Sequence, residues 1–203
     1  LAPHFQKLLD IFGDVILHPS LTGEELDRQK KIVLAEIKQR VDHPEKFAAE
    51  SFMSYLYGGQ PYGRPSQGLA IDIPTIDRKD LATWYDKKIK PNNAVLVVTG
   101  QLPPNYMEAL KKVFGAWPKG DVETKAFPQA PAFTGTNLRV IDKPDLNQTQ
   151  IVLGALGIKR NNPDYIALRV ANNILGGNFS SRLMDQVRVN LGLTYGISSF
   201  FDA

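Results

Sequence analysis

The stretch Leu26-Asp-Arg-Gln-Lys-Lys-Ile-Val-Leu-Ala-Glu-Ile-Lys-Gln-Arg40 decides the fold of the first part of this chain. Within it, Val33 and Ile37 continue an apolar stripe at helical spacing. It follows Thr22-Gly-Glu-Glu25, the residue pattern of a capping box. We therefore predict a long helix that begins just after Thr22. Glu36 borders its apolar stripe, so that its carboxylate can face a neighbouring helix.

Further helices are predicted by the same periodicity and by local start and stop signals. Pro44 falls in a first turn, where its missing N–H costs little, and Asp77 is a typical N-cap residue. These helices are expected over Phe5–Ile16, from Pro44 to about Leu56, from Asp77 through Tyr85, over Asn105–Phe114, over Asp164–Leu175 and from about Asn178 to Gly192.

Short apolar runs between the helices are typical of strands, because they are rich in β-branched residues and bounded by turn residues. Four such strands are expected, at Ala94–Thr99, Asn137–Ile141, Gln148–Leu156 and Leu193–Phe201. Helices and strands are mixed without strict alternation. This order favours an α+β class with largely antiparallel sheets and helices packed on one face.

The stretch from Gly120 to Gly135 has little periodicity and contains Pro128 and Pro131, which is typical of a linker. We therefore predict the later part of a first domain over residues 1–120, a linker over 121–136 and the opening of a second domain over 137–203. The two domains are expected to be related and only partly present.

Composition excludes several classes of function. The 24 Lys and Arg against 21 Asp and Glu give a net charge of +3, and they are dispersed rather than gathered into a nucleic-acid-binding stripe. There is no cysteine, so disulfides and thiolate catalysis are excluded. No apolar run approaches the roughly 18 residues of a membrane span, so we expect no membrane insertion.

The histidines do not form a metal-binding motif. His4, His18 and His43 are never spaced four residues apart, and none lies in an H-x-x-E-H arrangement. Zinc catalysis needs about three protein ligands. From its residues alone, the chain therefore has no complete zinc site, and surface positions are expected for all three histidines.

Three other side chains each allow two interpretations. Glu36 is either an exposed partner of Arg40 four residues later or a ligand that faces a neighbouring element. Arg188 is either a cation at a helix C-terminus or a substrate-binding group, and Tyr195 is either a strand aromatic or a hydroxyl donor. If Gly192 turns the chain between them, both could donate to a peptide carbonyl or to a developing oxyanion.

The order of these motifs resembles the zinc metallopeptidase family that includes insulin-degrading enzyme, pitrilysin and the mitochondrial processing peptidase. Ile32-Val-Leu-Ala-Glu36-Ile37 is similar to the family helix that supplies the third zinc ligand. The resemblance continues in family order through further segments. They are Leu56-Tyr-Gly-Gly-Gln-Pro-Tyr-Gly-Arg64-Pro65, Lys90-Pro-Asn-Asn-Ala-Val-Leu-Val-Val-Thr-Gly100, Leu175-Gly-Gly-Asn-Phe-Ser-Ser-Arg182 and Arg188-Val-Asn-Leu-Gly-Leu-Thr-Tyr195.

The resemblance implies a zinc-dependent endopeptidase whose repeated α+β domains enclose peptide or small-protein substrates in a chamber. It implies Glu36 as a zinc ligand, and Arg188 and Tyr195 as groups that bind the substrate and the transition state. Two departures matter. The H-x-x-E-H helix is not among these residues, so we expect an internal fragment that is inactive alone. Gln29 also stands where catalytic members often have an acidic residue.

Other functions stay open at this level. The chain could instead belong to a non-catalytic subunit that binds substrate beside an active peptidase, or be a plain protein-interaction domain with Glu36 and Arg188 on solvated faces. The resemblance further implies pairing with a second copy or with a related peptidase-like subunit. It favours a bacterial source and the periplasm, with the cytoplasm as the alternative compartment.

Overall fold

A computed structural model describes residues 2–123 and 126–201 of the chain. They divide into two compact units, Leu1–Val152 and Leu153–Ala203. Helices account for 49% of the residues, and they set the architecture of each unit.

Among the described residues, five α-helices form the framework of the first unit, with one short 3-10 turn before the first helix and three between later helices. The helices are α1 (Phe5–Leu17), α2 (Gly23–Arg40), α3 (Pro44–Tyr57), α4 (Arg78–Lys88) and α5 (Tyr106–Phe114). The turns are Ala2–His4, Pro61–Gly63, Ile73–Thr75 and Pro91–Asn93.

Helices α1 and α5 pack against each other in this unit. Leu9 is buried, and the rings of Phe12 and Phe114 meet edge to face with centroids 6.1 Å apart. Gly13 lies so close to α5 that a methyl group on its Cα would overlap Cγ1 of Val113. The absence of a side chain at Gly13 therefore sets the distance between the helices.

A local signal defines the start of α2, the helix that carries Glu36. The hydroxyl of Thr22 accepts a hydrogen bond from the backbone N–H of Glu25 at 3.4 Å, as the sequence pattern predicts. Lys30 extends from its middle and donates to the carbonyl of Pro74 at 3.1 Å. Its last turn packs against α3. The helix is thus held along its length by the 73–75 turn and by α3.

The second unit contains α6 (Tyr165–Leu175) and a π-helix (Met184–Asn190). Tyr165, Met184 and Ser181 are its buried side chains among the residues described. The sequence predicts a helix in the region of the π-helix but not its wider turn. Leu191 donates its N–H to the carbonyl of Gln186, five residues earlier, at 3.0 Å. Helices of this kind are rare and often occur at functional positions.

The predicted α+β class is wrong for this structure. No residue in the described ranges 2–123 and 126–201 belongs to a strand. The four predicted strand segments instead belong to no helix or strand and are largely open to solvent: Val95 is 91% exposed and Leu153 is 94% exposed. Their composition favours extended backbone, but a strand also needs a partner whose N–H and C=O groups pair with its own. The composition of a segment does not show whether such a pairing partner is present in the fold.

The predicted division into residues 1–120, 121–136 and 137–203 stays a prediction. Thr124 and Lys125 of the expected linker, and Asp202 and Ala203 of the expected second domain, lie outside the described residues. Within the described residues, no helix is long and apolar enough to span a membrane.

The close approach at Gly13 gives a test of the first unit. We expect Gly13→Ala to lower the free energy of unfolding by about 1–3 kcal/mol, because overpacking outweighs the usual gain of about 1 kcal/mol for alanine over glycine in a helix. Gly23→Ala is the matched control, since no atom lies within 4 Å of its new methyl group. Urea denaturation measures both variants.

A second substitution should reverse the effect at Gly13. Val113→Ala removes the overlapping Cγ1 and leaves Cβ of residue 113 at 3.7 Å from the new methyl group, an ordinary contact. The double variant should therefore be more stable than the sum of the two single changes predicts. Strict additivity would show that the α1–α5 contact is not the cause.

Candidate functional site

Glu36 lies on α2 and is exposed, facing the loop that precedes Gly68. Its Oε2 accepts a hydrogen bond from Nε2 of Gln67 at 2.7 Å. Its Oε1 accepts no hydrogen bond from any residue in the part of the chain that the structure describes. An ionised carboxylate offers about four lone-pair sites. Most of the capacity of Glu36 to bind a cation therefore remains available.

Gln67 connects Glu36 to a charged pair. Its Oε1 accepts from Nη2 of Arg40 at 2.5 Å. Nη1 of Arg40 lies 3.0 Å from Oε2 of Glu50 on α3, with only 11% of the Arg40 side chain exposed. We call the four residues Glu50, Arg40, Gln67 and Glu36 the carboxylate chain.

The sequence indicates nothing special about Gln67. It lies in a loop between α3 and α4, and its partner Glu36 is 31 residues away. A tight turn places it, since the N–H of Gly68 bonds to the carbonyl of Pro65 at 2.9 Å and Gly68 has φ of 79°. Glycine adopts this left-handed backbone conformation readily. Gly68 is therefore the one local signal that could have drawn attention to its neighbour.

The carboxylate chain corrects the simpler interpretation of Glu36 as an ion-pair partner of Arg40. Arg40 pairs with Glu50 and reaches Glu36 only through the amide of Gln67. Glu36 does not point between packed helices either, since it is exposed. Its role as a metal ligand stays a prediction, which the geometry permits through the free Oε1.

A complete metal site is not present among residues 2–123 and 126–201, which contain no group of three or more His, Cys, Asp or Glu side chains placed to hold one ion. His18 pairs with Asp14 at 3.4 Å on the surface of α1, and His43 precedes α3. The donor set fits zinc at a single position, the carboxylate of Glu36, and the other ligands would have to come from outside these residues.

Gln29 faces the start of α2 and not Glu36. Its Nε2 donates to Oε1 of Glu25 at 3.0 Å, and the guanidinium of Arg28 pairs with the same carboxylate. The hydrogen bonds from Arg28 and then from Gln29 lower the pKa of Glu25 to about 2. Gln29 thus supports an ionised carboxylate near the N-terminus of the helix, where the helix dipole also favours negative charge.

Arg188 belongs to the π-helix of the second unit. Its guanidinium lies over the ring of Phe179 at 4.9 Å from the ring centroid, a cation–π contact. This contact occupies one face of the guanidinium, while the N–H donors lie at its edges. Arg188 can therefore still donate to a carbonyl or a carboxylate.

Tyr195 follows the turn at Gly192, whose φ is 63°. The sequence predicts such a turn, but the turn does not join Tyr195 to Arg188 by a hydrogen bond among the residues described. The Tyr195 side chain is 87% exposed. A cavity of about 510 Å³ in the second unit is lined by Arg169, Asn172 and Phe200 among others, but not by Arg188 or Tyr195.

Comparison with known families covers most of the chain in two segments. Residues 75–203 match the family described as "Peptidase M16 inactive domain". Residues 1–68 match the family described as "Insulinase (Peptidase family M16)". Residues 1–68 contain Glu36 and Gln67, and residues 75–203 contain Arg188 and Tyr195.

Curated relatives include bacterial proteins named as zinc proteases. One from Mycobacterium leprae is 29% identical over 204 residues, covering 100% of this chain and 46% of the relative. One from Bacillus subtilis is 27% identical, covering 98% of this chain and 48% of the relative. The chain therefore spans about half the length of the curated relatives it matches.

Solved structures that share the fold include two bacterial proteins. A crystal structure titled as a peptidase M16 inactive domain from Pseudomonas fluorescens has a TM-score of 0.79 and 32% identity, covering 98% of this chain and 48% of that one. A protease from Helicobacter pylori has a TM-score of 0.72 at 20% identity, covering 98% of this chain and 49% of that one, and supports the fold alone.

The predicted family is confirmed by these matches, which run in the same order along the chain as the motifs. The profile over residues 75–203 by itself covers more than half of the sequence. The chain belongs to the peptidase M16 family, the insulinase-like group of zinc protease relatives.

Proposed function

We propose that this chain is part of a zinc-dependent endopeptidase that hydrolyses peptides or small proteins. The observation that carries the proposal is the carboxylate of Glu36, which has one oxygen anchored by Gln67 at 2.7 Å, within the segment that matches the insulinase family. The relatives' name, zinc protease, supports the same reading.

Glu36 would serve as one ligand of the zinc ion. The two histidine ligands and the catalytic glutamate of H-x-x-E-H would come from another part of a longer protein, since the chain covers only about half of its relatives. When bound, zinc supplies an activated water and polarises the scissile carbonyl. These 203 residues would not hydrolyse a peptide unaided.

Arg188 and Tyr195 would bind the substrate and stabilise the tetrahedral intermediate. The support is chemical: the side chain of Arg188 makes no hydrogen bond within the described residues while it lies over Phe179, and the side chain of Tyr195 is open to an incoming peptide. Both are donors that strengthen as negative charge develops on a carbonyl oxygen. We also propose that the full-length protein encloses its substrate in a closed chamber. It would pair with a second peptidase-like subunit.

A non-catalytic subunit is the second candidate. The description "inactive domain" for residues 75–203, and for the Pseudomonas fluorescens structure, favours it. The two candidates differ in one observable feature of the full-length protein. An intact H-x-x-E-H motif preceding this segment supports the peptidase, and a degenerate motif supports the partner subunit.

Glu36→Gln should lower the zinc affinity of the full-length protein by more than about 100-fold and abolish peptide cleavage. Even residues that only support a metal ligand contribute about 10- to 100-fold in affinity or activity, so loss of the ligand itself should exceed that range. The fold should persist, because Glu36 is exposed and the new amide oxygen still accepts from Gln67. Atomic absorption and circular dichroism measure the two effects.

The matched control for this change is Glu24→Gln, another exposed carboxylate of α2. It should retain one zinc per chain. If Glu36→Gln also retains one zinc per chain, Glu36 is not a ligand.

Tyr195→Phe should lower kcat by about 100- to 1,000-fold, the usual effect of losing one donor to an oxyanion. Zinc content and stability should stay unchanged, because the hydroxyl is exposed. Cleavage of a fluorogenic peptide measures the rate. The control is Tyr62→Phe, at an exposed tyrosine of the first unit. Equal cleavage rates for the two variants would show that the hydroxyl of Tyr195 has no role in catalysis.

A further inference from the structure

Gln67 lies between a fixed cation and the proposed metal ligand. Arg40 has only N–H donors, so the group of Gln67 that faces it at 2.5 Å must be the carbonyl oxygen. The amide nitrogen of Gln67 must then face Glu36, to which it donates at 2.7 Å. The orientation of this amide therefore follows from the chemistry of Arg40.

Arg40 is itself held in place. Its second terminal nitrogen pairs with Glu50 at 3.0 Å, and 11% of its side chain is exposed. A guanidinium is a planar group with donors in fixed directions, so this pairing also fixes the direction of the donor that reaches Gln67. The carboxylate chain is therefore anchored on α3 and ends at Glu36.

We infer that Gln67 is a positioning residue that holds the carboxylate of Glu36 in a cation-binding orientation, with Oε2 anchored and Oε1 free. The inference rests on the proposed function, since it assumes that Glu36 binds zinc. Hydrogen bonds from neighbouring residues orient metal ligands and typically contribute about 10- to 100-fold to metal affinity.

The neutral amide is important in this arrangement. A direct ion pair between Arg40 and Glu36 would offset the negative charge that a metal ion needs and would compete for the same oxygens. The amide of Gln67 transmits the fixed geometry of Arg40 without carrying a charge to Glu36. It thus orients the ligand and leaves its charge intact.

The alternative is a purely structural role, in which the carboxylate chain joins α2, α3 and the loop before Gly68. In that case the loss of Gln67 would affect stability but would not act specifically through Glu36. A double-mutant cycle on zinc affinity separates the two roles, because it measures whether the effect of Gln67 depends on the carboxylate of Glu36.

The experiment uses the full-length protein and zinc ion alone, with affinity measured by competition against a chromogenic chelator. Gln67→Met has similar length but no polar group, and we expect zinc affinity to fall about 10-fold, near the lower end of the range because the bond is exposed. The asparagine side chain of Gln67→Asn is too short to reach both Arg40 and Glu36, so zinc affinity should fall by a similar factor.

Gln39→Met is the matched control. Gln39 is an exposed glutamine of α2 whose side chain makes no hydrogen bond within the described residues, so zinc affinity and thermal stability should be unchanged. In a Glu36→Gln background, adding Gln67→Met should lower zinc affinity no further.

The outcomes separate this inference from the function on which it rests. If Glu36→Gln leaves zinc affinity unchanged, the proposed ligand is wrong and the inference fails with it. If Glu36→Gln weakens zinc but Gln67→Met stays within twofold of wild type, only the positioning role is wrong. An equal loss from Gln67→Met with and without Glu36 would assign the effect to the fold and overturn the inference.

Discussion

The ion pair between Arg40 and Glu50 is the contact on which the candidate site depends. It joins the last turn of α2 to α3 at 3.0 Å, with most of the Arg40 side chain withdrawn from water. Breaking such a pair leaves a partly desolvated charge without its partner, which is costly. The same guanidinium fixes Gln67. The position of Glu36 therefore depends on packing between helices as well as on α2 itself.

The helices could be predicted because their signals are local. The hydroxyl of Thr22 and the carboxylate of Asp77 each accept a backbone N–H three residues later, as a capping residue should. Pro44 opens α3 where its lack of an N–H is harmless. The π-helix at Met184–Asn190 shows the limit of local signals. Apolar spacing predicts a helical segment there but does not distinguish turns of different width.

The lack of strands among the described residues and the chemical environment of Glu36 could not be predicted, because both depend on residues that are distant in the sequence. Val97 has the composition of a strand residue, yet it is 75% exposed and makes no backbone hydrogen bond in the described structure. Glu36 could be selected from a motif, whereas Gln67 could not, because a loop glutamine has no distinguishing pattern. Only the folded backbone brings these two side chains within hydrogen-bonding distance.

The candidate residues of the first unit and those of the second unit differ in how far each is restrained before binding. Glu36 has one oxygen held by an amide whose own direction is fixed, so part of its rotamer freedom is already lost before a cation binds. Arg188 is partly restrained by Phe179, whereas Tyr195 is exposed and makes no hydrogen bond within the described residues. A side chain that becomes ordered on binding loses rotamer freedom, which opposes affinity. The proposed role of Tyr195 thus fits a contact that forms with the substrate, while the proposed metal ligand is oriented beforehand.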